Sequence, residues 1–321
     1  MKAIKIILLS ILIYGCSKSS NSSDSLGKGW SKVKINDNQL TDIFFINNSI
    51  GFTVGANGTY KSIDGGNAWV KISNIVGDCN IAATSNGNLF ILPLGKDSIY
   101  RSSDNGNSFS GIKLNAGGRA NDIYFINNDT GFIPAGVNNL LITTNGGISW
   151  TNVSPLSGLN ISGVNYIPFF INGTTGWISS SGNVYRTNGS INNWTACTFD
   201  IPMIHNEGVI TLYATSADTV YAACKAFGGG ATAVYRSTNG GVNFYLVSRV
   251  VNDSGYPDIH FVDNNSGYLC SKNKIYHTIN GGNTWDAEVT LGSSSLIEIH
   301  FVDANHGWAC GTNGTVLIYN R

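Results

Sequence analysis

Two short stretches of the chain place a carboxylate and an imidazole two residues apart. They are DIH at 258–260 and EIH at 298–300, forty residues apart. Residues i and i+2 of a β-strand share a face, so each carboxylate should lie beside its histidine, His260 or His300, and such a cluster can hold a transition metal. The same repeat position carries Phe44, Tyr124 and Phe169 elsewhere. This favours a packing role for both histidines, and neither a metal nor a cofactor is predicted.

The two carboxylates belong to a wider set that recurs at one position, at the start of an apolar run. The set is Asp42, Asp122, Asp258 and Glu298. Two interpretations are open: hydrogen bonding encoded by the repeat at the start of a strand, or a polar ligand rim that also includes His260 and His300. A glycosidase would need two of these carboxylates at a suitable separation.

Composition limits the class of protein. Charged residues make up 12% of the 321 residues, about half the usual share, and Lys+Arg equals Asp+Glu at 19 each. Nucleic-acid binding draws on clustered positive charge, so no nucleic-acid partner is predicted. The 39 glycines indicate many turns, and the 14 Phe, 7 Trp and 14 Tyr residues supply core. This mixture predicts many short strands.

An eight-residue motif, first seen as SIDGGNAW at 62–69, sets the period of the chain. Copies start at 62, 102, 143, 187, 237 and 278, with the copy at 187 stretched. Asp or Asn can accept backbone hydrogen bonds in its own turn, glycine allows positive φ, and the aromatic residue can cover the turn. A motif in nearly every repeat is predicted to be structural. Its predicted turn residues are Ser62, Asp64, Gly66, Trp69, Asp104, Gly106, Asn145, Trp150, Asn239, Asn280 and Trp285.

The repeats predict an all-β fold, a seven-bladed β-propeller of four-stranded blades over residues 29–321. Units begin near residues 40, 78, 120, 164, 209, 257 and 297, and the seventh lacks its last strand. The stretch GWSKVKI at 29–35 closely matches AWVKI at 68–72, the last strand of the first unit. An N-terminal strand is therefore predicted to complete the seventh unit and close the ring. The recurring carboxylates would then form a partial ring at the mouth of the central channel.

The N-terminus is predicted to be a targeting signal rather than part of the fold. Residues 1–15 combine two lysines with a short apolar run and end before Cys16, which resembles a bacterial lipoprotein signal peptide with Cys16 as the lipidated residue. An ordinary secretory signal is the alternative. Residues 16–28 are predicted to be a flexible tether, and Ser17 favours the outer membrane. The five other cysteines form no CxxC pair and are predicted to be buried free thiols that pack as small apolar side chains. Because their number is odd, at least one would stay unpaired even in an oxidising compartment.

The turn motifs resemble Asp-box (BNR) repeats, and their combination with DIFFINNSIGF at 42–52 resembles the propeller of the photosystem II assembly and stability factors (Ycf48/Hcf136-like). That resemblance implies a role in assembling a photosynthetic reaction centre and an arginine-rich surface patch. The arginines that could form one are Arg101, Arg119, Arg186, Arg236, Arg249 and Arg321. Asp-box propellers include sialidases, but this chain lacks their Arg-Ile-Pro signature and has three glutamates, Glu207, Glu288 and Glu298.

Together these features predict a monomeric, non-catalytic outer-membrane lipoprotein, facing the periplasm or the cell surface, that binds an envelope protein as a scaffold. The alternative is a surface glycan-binding protein or a glycoside hydrolase of the Asp-box propeller type. Loops at 154–168 and 227–233 lengthen the repeats and are predicted to protrude on one rim, where propellers usually meet ligands.

Overall fold

The computed structural model describes residues 23–136, 139–153, 167–180, 183–200, 207–226, 231–251 and 255–321. Over these residues the chain forms 29 strands in seven separate sheets and no helix. The described part of the chain accordingly offers no helical segment of the length and apolarity that crossing a bilayer requires. The all-β prediction is confirmed.

Each sheet is one blade, and its strands run outward from the central channel. Blade one is β2 (Leu40–Phe45), β3 (Gly51–Gly55), β4 (Thr59–Ser62) and β5 (Val70–Ser73); blade two is β6 (Cys79–Ala83), β7 (Leu89–Pro93), β8 (Ser98–Ser102) and β9 (Ser110–Lys113). Blade three is β10 (Tyr124–Phe125), β11 (Gly131–Ala135), β12 (Asn139–Thr143) and β13 (Thr151–Asn152); blade four is β14 (Ile167–Phe170), β15 (Gly176–Ser180), β16 (Asn183–Thr187) and β17 (Trp194–Ala196).

The remaining blades follow the same order. Blade five is β19 (Glu207–Ala214), β20 (Val220–Ala226), β21 (Ala231–Ser237) and β22 (Asn243–Val251), with β18 (Thr198–Phe199) added outside β22. Blade six is β23 (Asp258–Phe261), β24 (Gly267–Ser271), β25 (Lys274–Thr278) and β26 (Asp286–Thr290). Blade seven is β27 (Leu296–Asp303), β28 (His306–Gly311), β29 (Thr315–Asn320) and β1 (Trp30–Lys34).

The N-terminal strand closes the ring as predicted. β1 pairs antiparallel with β29 in a register that sets Trp30 opposite Tyr319 and Lys34 opposite Thr315. The seven innermost strands contact one another in order, and β27 returns to β2. Closure gives every blade two neighbours, so apolar side chains are buried between all adjacent blades, and β1 covers the outer edge of β29.

Blade five departs from the four-strand prediction. β18 pairs in parallel with β22, through Thr198 opposite Asn243 and Phe199 opposite Phe244. Phe199 stacks on Phe244 with ring centroids 4.9 Å apart. The chain between blades four and five therefore covers the outer edge of blade five, which shields a long strand from pairing with another molecule.

Two faces of the ring can be distinguished by the connections they carry. The face where innermost strands start, here called the upper face, carries the links between blades and the turns between second and third strands. The opposite lower face carries the turns after the innermost strands and the eight-residue motifs. These two kinds of turn are bonded to each other: the Gly65 amide donates to Ser49 O at 2.9 Å, and the Gly281 amide donates to Asn265 O at 2.8 Å.

The eight-residue motif forms a self-contained hydrogen-bonded turn. The Ser62 hydroxyl donates to Asp64 Oδ1 (2.8 Å) and accepts from the Gly66 amide (2.8 Å), while the Ala68 amide donates to Asp64 Oδ1 (2.9 Å). Trp69 Nε1 donates to Gly66 O (2.8 Å). Gly66 has a φ of 92°, a conformation that glycine adopts without strain. The turn thus satisfies its own polar groups.

Asparagine maintains the turn in three other copies, and the stretched copy deviates. Asn145, Asn239 and Asn280 each accept the amide four residues later at 3.0 Å. In the stretched copy the Thr187 hydroxyl bonds instead to Ser190 O, and Trp194 Nε1 donates to Ile191 O (2.7 Å). The buried Trp150 indole N–H has no hydrogen-bond partner among the described residues.

Residues 23–28, part of the predicted tether, lie along the outer edge of blade six. Ser25 and Thr290 exchange two backbone hydrogen bonds, at 2.7 and 2.8 Å. Asp24 bonds to Lys32 Nζ (2.7 Å) and accepts from the Gly292 amide (2.9 Å). Because this segment runs antiparallel to β26, residue 23 lies at the upper end of the blade. The predicted signal peptide, residues 1–15, and Cys16 lie outside the described residues.

Candidate functional site

A cavity of about 360 Å³ occupies the upper half of the central channel. All seven innermost strands contribute to its wall. Its side chains form two layers, two residues and so roughly 7 Å apart along the strands. The next layer down, at Ile46, Ile126, Ile171, Val262 and Val302, does not line the cavity. The second layer is therefore the floor, and the cavity faces the upper side.

The first layer is polar and is held by bonds between neighbouring blades. Asp42 accepts from the Ile81 amide at 2.7 Å, and Asp258 accepts from the Thr211 hydroxyl at 2.9 Å and the Ile299 amide at 3.0 Å. The Glu298 carboxyl is also hydrogen-bonded to Asp258. Each bond crosses from one blade to the next, so this layer joins the ring together.

Asp122 is bonded differently from the other carboxylates. Asn80 Nδ2 and the Ile123 amide both donate to Oδ1, each at 2.8 Å. No hydrogen bond to Asp122 Oδ2 is found among the described residues. This oxygen is therefore an unused acceptor in the wall of the cavity.

Burial and mutual repulsion favour the protonated carboxyls. The side chains are half-buried towards the channel but surrounded by protein on every other side. Desolvation, with the charges of Asp122 and Asp258, raises the pKa of Asp42 to about 8, and desolvation raises the pKa of Asp122 to about 6. Desolvation also raises the pKa of Asp258 and, with the neighbouring acids, that of Glu298. At neutral pH the layer thus holds both charged and protonated carboxyls.

The second layer is an arc of six rings. Centroid distances are 4.7 Å for Phe44–His300, 5.4 Å for Tyr124–Phe169 and 5.0 Å for Phe169–Tyr213. Tyr213–His260 (4.5 Å) and His260–His300 (5.7 Å) complete the arc. Blade two places Ala82 between Phe44 and Tyr124, so the arc has one gap.

The two histidines are part of this aromatic wall. His300 Nε2 lies 3.0 Å from Phe45 O and so must donate to it, and His260 Nε2 lies 3.0 Å from the Tyr213 hydroxyl. Burial lowers the pKa of His300 to about 4 and that of His260 well below its usual range. Both rings are therefore neutral at physiological pH. Among the described residues, no three His, Cys, Asp or Glu side chains are grouped as metal ligands.

Two buried thiols lie behind the carboxyl layer. Cys270 is opposite Asp258 on the neighbouring strand, and Cys310 is opposite Glu298. Burial and the nearby acids raise the pKa of both thiols. Cys79, Cys197, Cys270 and Cys310 are free thiols, and all of them except the half-buried Cys197 are buried; Cys224 is buried as well. They pack as small apolar side chains.

All six residues proposed from the sequence as a ligand rim line this one cavity: Asp42, Asp122, Asp258, Glu298, His260 and His300. Sequence reasoning missed Asn80, Thr211 and Tyr213, and it assigned Phe44, Tyr124 and Phe169 to packing alone. Reading two residues beyond each first-layer position would have found the aromatic arc. The turn-motif residues lie on the lower face, away from the cavity. Of the predicted rim loops, residues 154–166 and 227–230 lie outside the described residues.

The arginines do not line the cavity, and two of them join blades together. Arg101 Nε donates to Gly146 O at 3.0 Å, and Arg236 Nη1 donates to Gly281 O at 3.1 Å. Each acceptor lies in the turn motif of the next blade. These two guanidinium groups therefore have a structural role between blades.

The sequence matches no known family model, and no curated protein matches it. Solved structures are similar over nearly the whole chain. YCF48 bound to a D1 peptide is 17% identical with a TM-score of 0.69, covering 95% of this chain and 99% of the other. YCF48 from Cyanidioschyzon merolae is 16% identical (TM-score 0.70, 91% and 98% covered), and virginiamycin B lyase from Staphylococcus aureus is 13% identical (0.68, 91% and 99%). At these identities the similarity establishes the propeller fold.

Proposed function

We propose that this chain is a non-catalytic scaffold of the bacterial envelope that binds a protein partner on its upper face. The observation that carries the proposal is the full-length similarity to a propeller whose solved structure holds a bound peptide. A rigid ring whose connections differ from blade to blade offers one broad concave surface, which suits recognition of another protein.

The composition of the two faces supports use of the upper one. The lower face is occupied by the repeated turns, which bond to each other and to the adjacent blades. The upper face carries the cavity, and blade five extends there because β19 and β22 have eight and nine residues, against four in β23 and five in β26 of the next blade. Exposed apolar side chains on the upper face include Val76, Leu94 and Tyr256.

The carboxyl geometry supports binding over hydrolysis. Glycosidases hold their two carboxyl groups about 5 Å or more apart so that the scissile bond lies between them. Asp258 and Glu298 are hydrogen-bonded directly to each other. This pair leaves no room for a glycosidic oxygen between its two carboxyls.

We further propose that lipidation of Cys16 attaches the scaffold to the outer membrane. The supporting pattern is the apolar run of residues 6–13 followed by Gly15-Cys16. The partner is then an envelope protein.

Site-specific cross-linking in intact envelopes tests the binding face. A photoreactive residue at Tyr256 (61% exposed) samples the upper face, and one at Ile63 (72% exposed) is the matched lower-face control. We expect one discrete protein adduct from position 256 and none from position 63. Adducts of equal yield from both positions, or polysaccharide adducts alone, would contradict the proposal and favour glycan binding.

A further inference from the structure

We propose that the channel cavity is a binding site for a primary alkylammonium group. The site stands on the geometry of the two layers, and a free amine or the side chain of a partner's lysine can supply the same chemistry. The inference therefore does not require the scaffold role.

The charge of the cavity is uncompensated. Four carboxyls line it, and no lysine or arginine does so among the described residues. A carboxylate in a cavity of low dielectric gains strongly from a cation nearby, much more than it would at a surface. The cavity thus favours a positively charged occupant.

The second layer suits the same occupant. An ammonium group is attracted to the face of an aromatic ring within about 6 Å of its centroid, most strongly where water is excluded. Phe44, Tyr124, Phe169 and Tyr213 supply such rings, and burial keeps both histidines neutral so that they do not repel a cation. The apolar ring faces also accommodate an alkyl chain.

The open position in the arc locates the ammonium group. The small Ala82 side chain leaves space between Phe44 and Tyr124, and this space adjoins blade three, where Asp122 Oδ2 is an unused acceptor. Asp122 and Tyr124 are two residues apart, and both line the cavity. The occupant is thereby placed against one carboxylate and one phenol.

The Tyr124 hydroxyl is available to an occupant of the cavity. The side chain is half-buried, and desolvation together with the Asp122 charge raises its pKa to about 12. No hydrogen-bond partner for its hydroxyl is found among the described residues. A primary ammonium has three donors and can satisfy both this oxygen and Asp122 Oδ2. A quaternary ammonium has no donor and would leave both acceptors unsatisfied.

Binding of a cation should release protons. The titratable groups that face the site are Asp42, Asp122, Asp258, Glu298, His260, His300, Tyr124 and Tyr213, with Cys270 and Cys310 behind them. Of these, the carboxyls are partly protonated near neutral pH, and a cation favours their ionised form. Affinity should therefore rise with pH over the range in which Asp122 and Asp42 ionise.

Calorimetric titration of the folded protein with n-pentylamine tests the site, with 1-pentanol as the uncharged analogue. We expect saturable pentylamine binding, proton release seen as a dependence on buffer ionisation heat, and no pentanol binding. Asp122→Asn should weaken binding about tenfold or more, since a charged hydrogen bond is lost. Tyr124→Phe should weaken it several-fold. Asp104→Asn, on the lower face, is the control and should bind like the parent protein.

Three further results would overturn the proposal. Pentanol binding as tight as pentylamine would indicate a merely apolar cavity. Tighter binding of tetramethylammonium, or of calcium alone, would indicate a different cation. Unchanged affinity in both Asp122→Asn and Tyr124→Phe, with melting temperatures like the parent, would place the amine elsewhere. Comparing N-acetyl-lysine N-methylamide with pentylamine separates the sources: tighter binding of the lysine derivative favours a partner's side chain, and weaker binding favours a free amine.

Discussion

Trp30 Nε1 donates a hydrogen bond to Glu288 Oε2 at 3.1 Å, although the two residues are 258 positions apart in the chain. Trp30 belongs to the closing strand of blade seven, and Glu288 belongs to the outer strand of blade six. The indole also packs against Tyr268, Phe301 and Tyr319, with centroid distances of 5.1 to 6.2 Å. The closing strand therefore contributes a side chain to the core between the last two blades as well as backbone hydrogen bonds.

Removing that indole should destabilise the whole ring. Trp30 is 7% exposed, and truncating a buried tryptophan to alanine costs about 3–5 kcal/mol. For a domain of this size Trp30→Ala should lower the melting temperature by about 5–8 °C. Ser31→Ala, at the neighbouring exposed position, is the control. An unchanged melting temperature in Trp30→Ala would mean that the closing strand contributes little to stability.

The turn motif predicts a difference between two substitutions at one position. Asp64→Ala removes the acceptor of the Ser62 and Ala68 bonds and should cost roughly 1 kcal/mol of unfolding free energy. Asp64→Asn should cost much less, because Asn145, Asn239 and Asn280 maintain the same bonds. Urea denaturation midpoints measure both. Equal losses in the two variants would show that the charge, rather than the acceptor, maintains the turn.

The carboxyl layer predicts a loss of stability in mild alkali. The pKa of Asp42 is raised from 3.8 to about 8, so the folded state holds a proton that the unfolded state has lost. The stability gained from that proton is complete below pH 4 and declines as pH rises towards 8. His300, whose pKa is lowered from 6.5 to about 4, acts in the opposite sense, but only below pH 6.5.

The effect of Asp42 on stability is therefore clearest above pH 6.5, where His300 no longer titrates. Melting temperature should fall between about pH 6.5 and about pH 8.5, and Asp42→Asn should flatten this fall. Asp64→Asn should retain the fall, because hydrogen bonds lower the pKa of Asp64 and it titrates only in acid. If the melting temperature of the parent protein is flat over this range, Asp42 ionises without cost.

Cys16→Ser should move the protein from the membrane fraction to the soluble fraction, since it removes the proposed lipidation site. Cys197→Ser, at a half-buried position in the propeller, should leave it membrane-bound. Fractionation followed by immunoblotting distinguishes them. Retention of Cys16→Ser in the membrane fraction would contradict the lipoprotein proposal.

Repetition made the fold readable from the sequence. The match between residues 29–35 and the strand after the first motif predicted the pairing of β1 with β29, because a repeat that lacks a strand needs one from elsewhere. The regular position of Asp42, Asp122, Asp258 and Glu298 likewise placed all four on one ring. Because each repeat folds into the same unit, residues at the same repeat position lie at equivalent places around the ring.

What the sequence did not reveal depends on contacts without a repeat. β18 pairs with β22 through Phe199 and Phe244 only because the chain between blades four and five folds back, and no pattern encodes that return. Thr211 and Tyr213 escaped notice because the innermost strand of blade five lacks the Asp-Ile-aromatic pattern. The gap at Ala82 is defined by a side chain that is small, which leaves no motif to detect.

The pairing of Ser25 with Thr290 has a consequence for the orientation of the ring at a membrane. Residue 23 leaves from the upper end of blade six, and the seven peptide steps back to Cys16 can span no more than about 25 Å. With Cys16 lipidated as proposed, this limited span keeps the upper rim close to the bilayer. The cavity would then encounter molecules that diffuse in the plane of the membrane more often than those that arrive from the bulk solution.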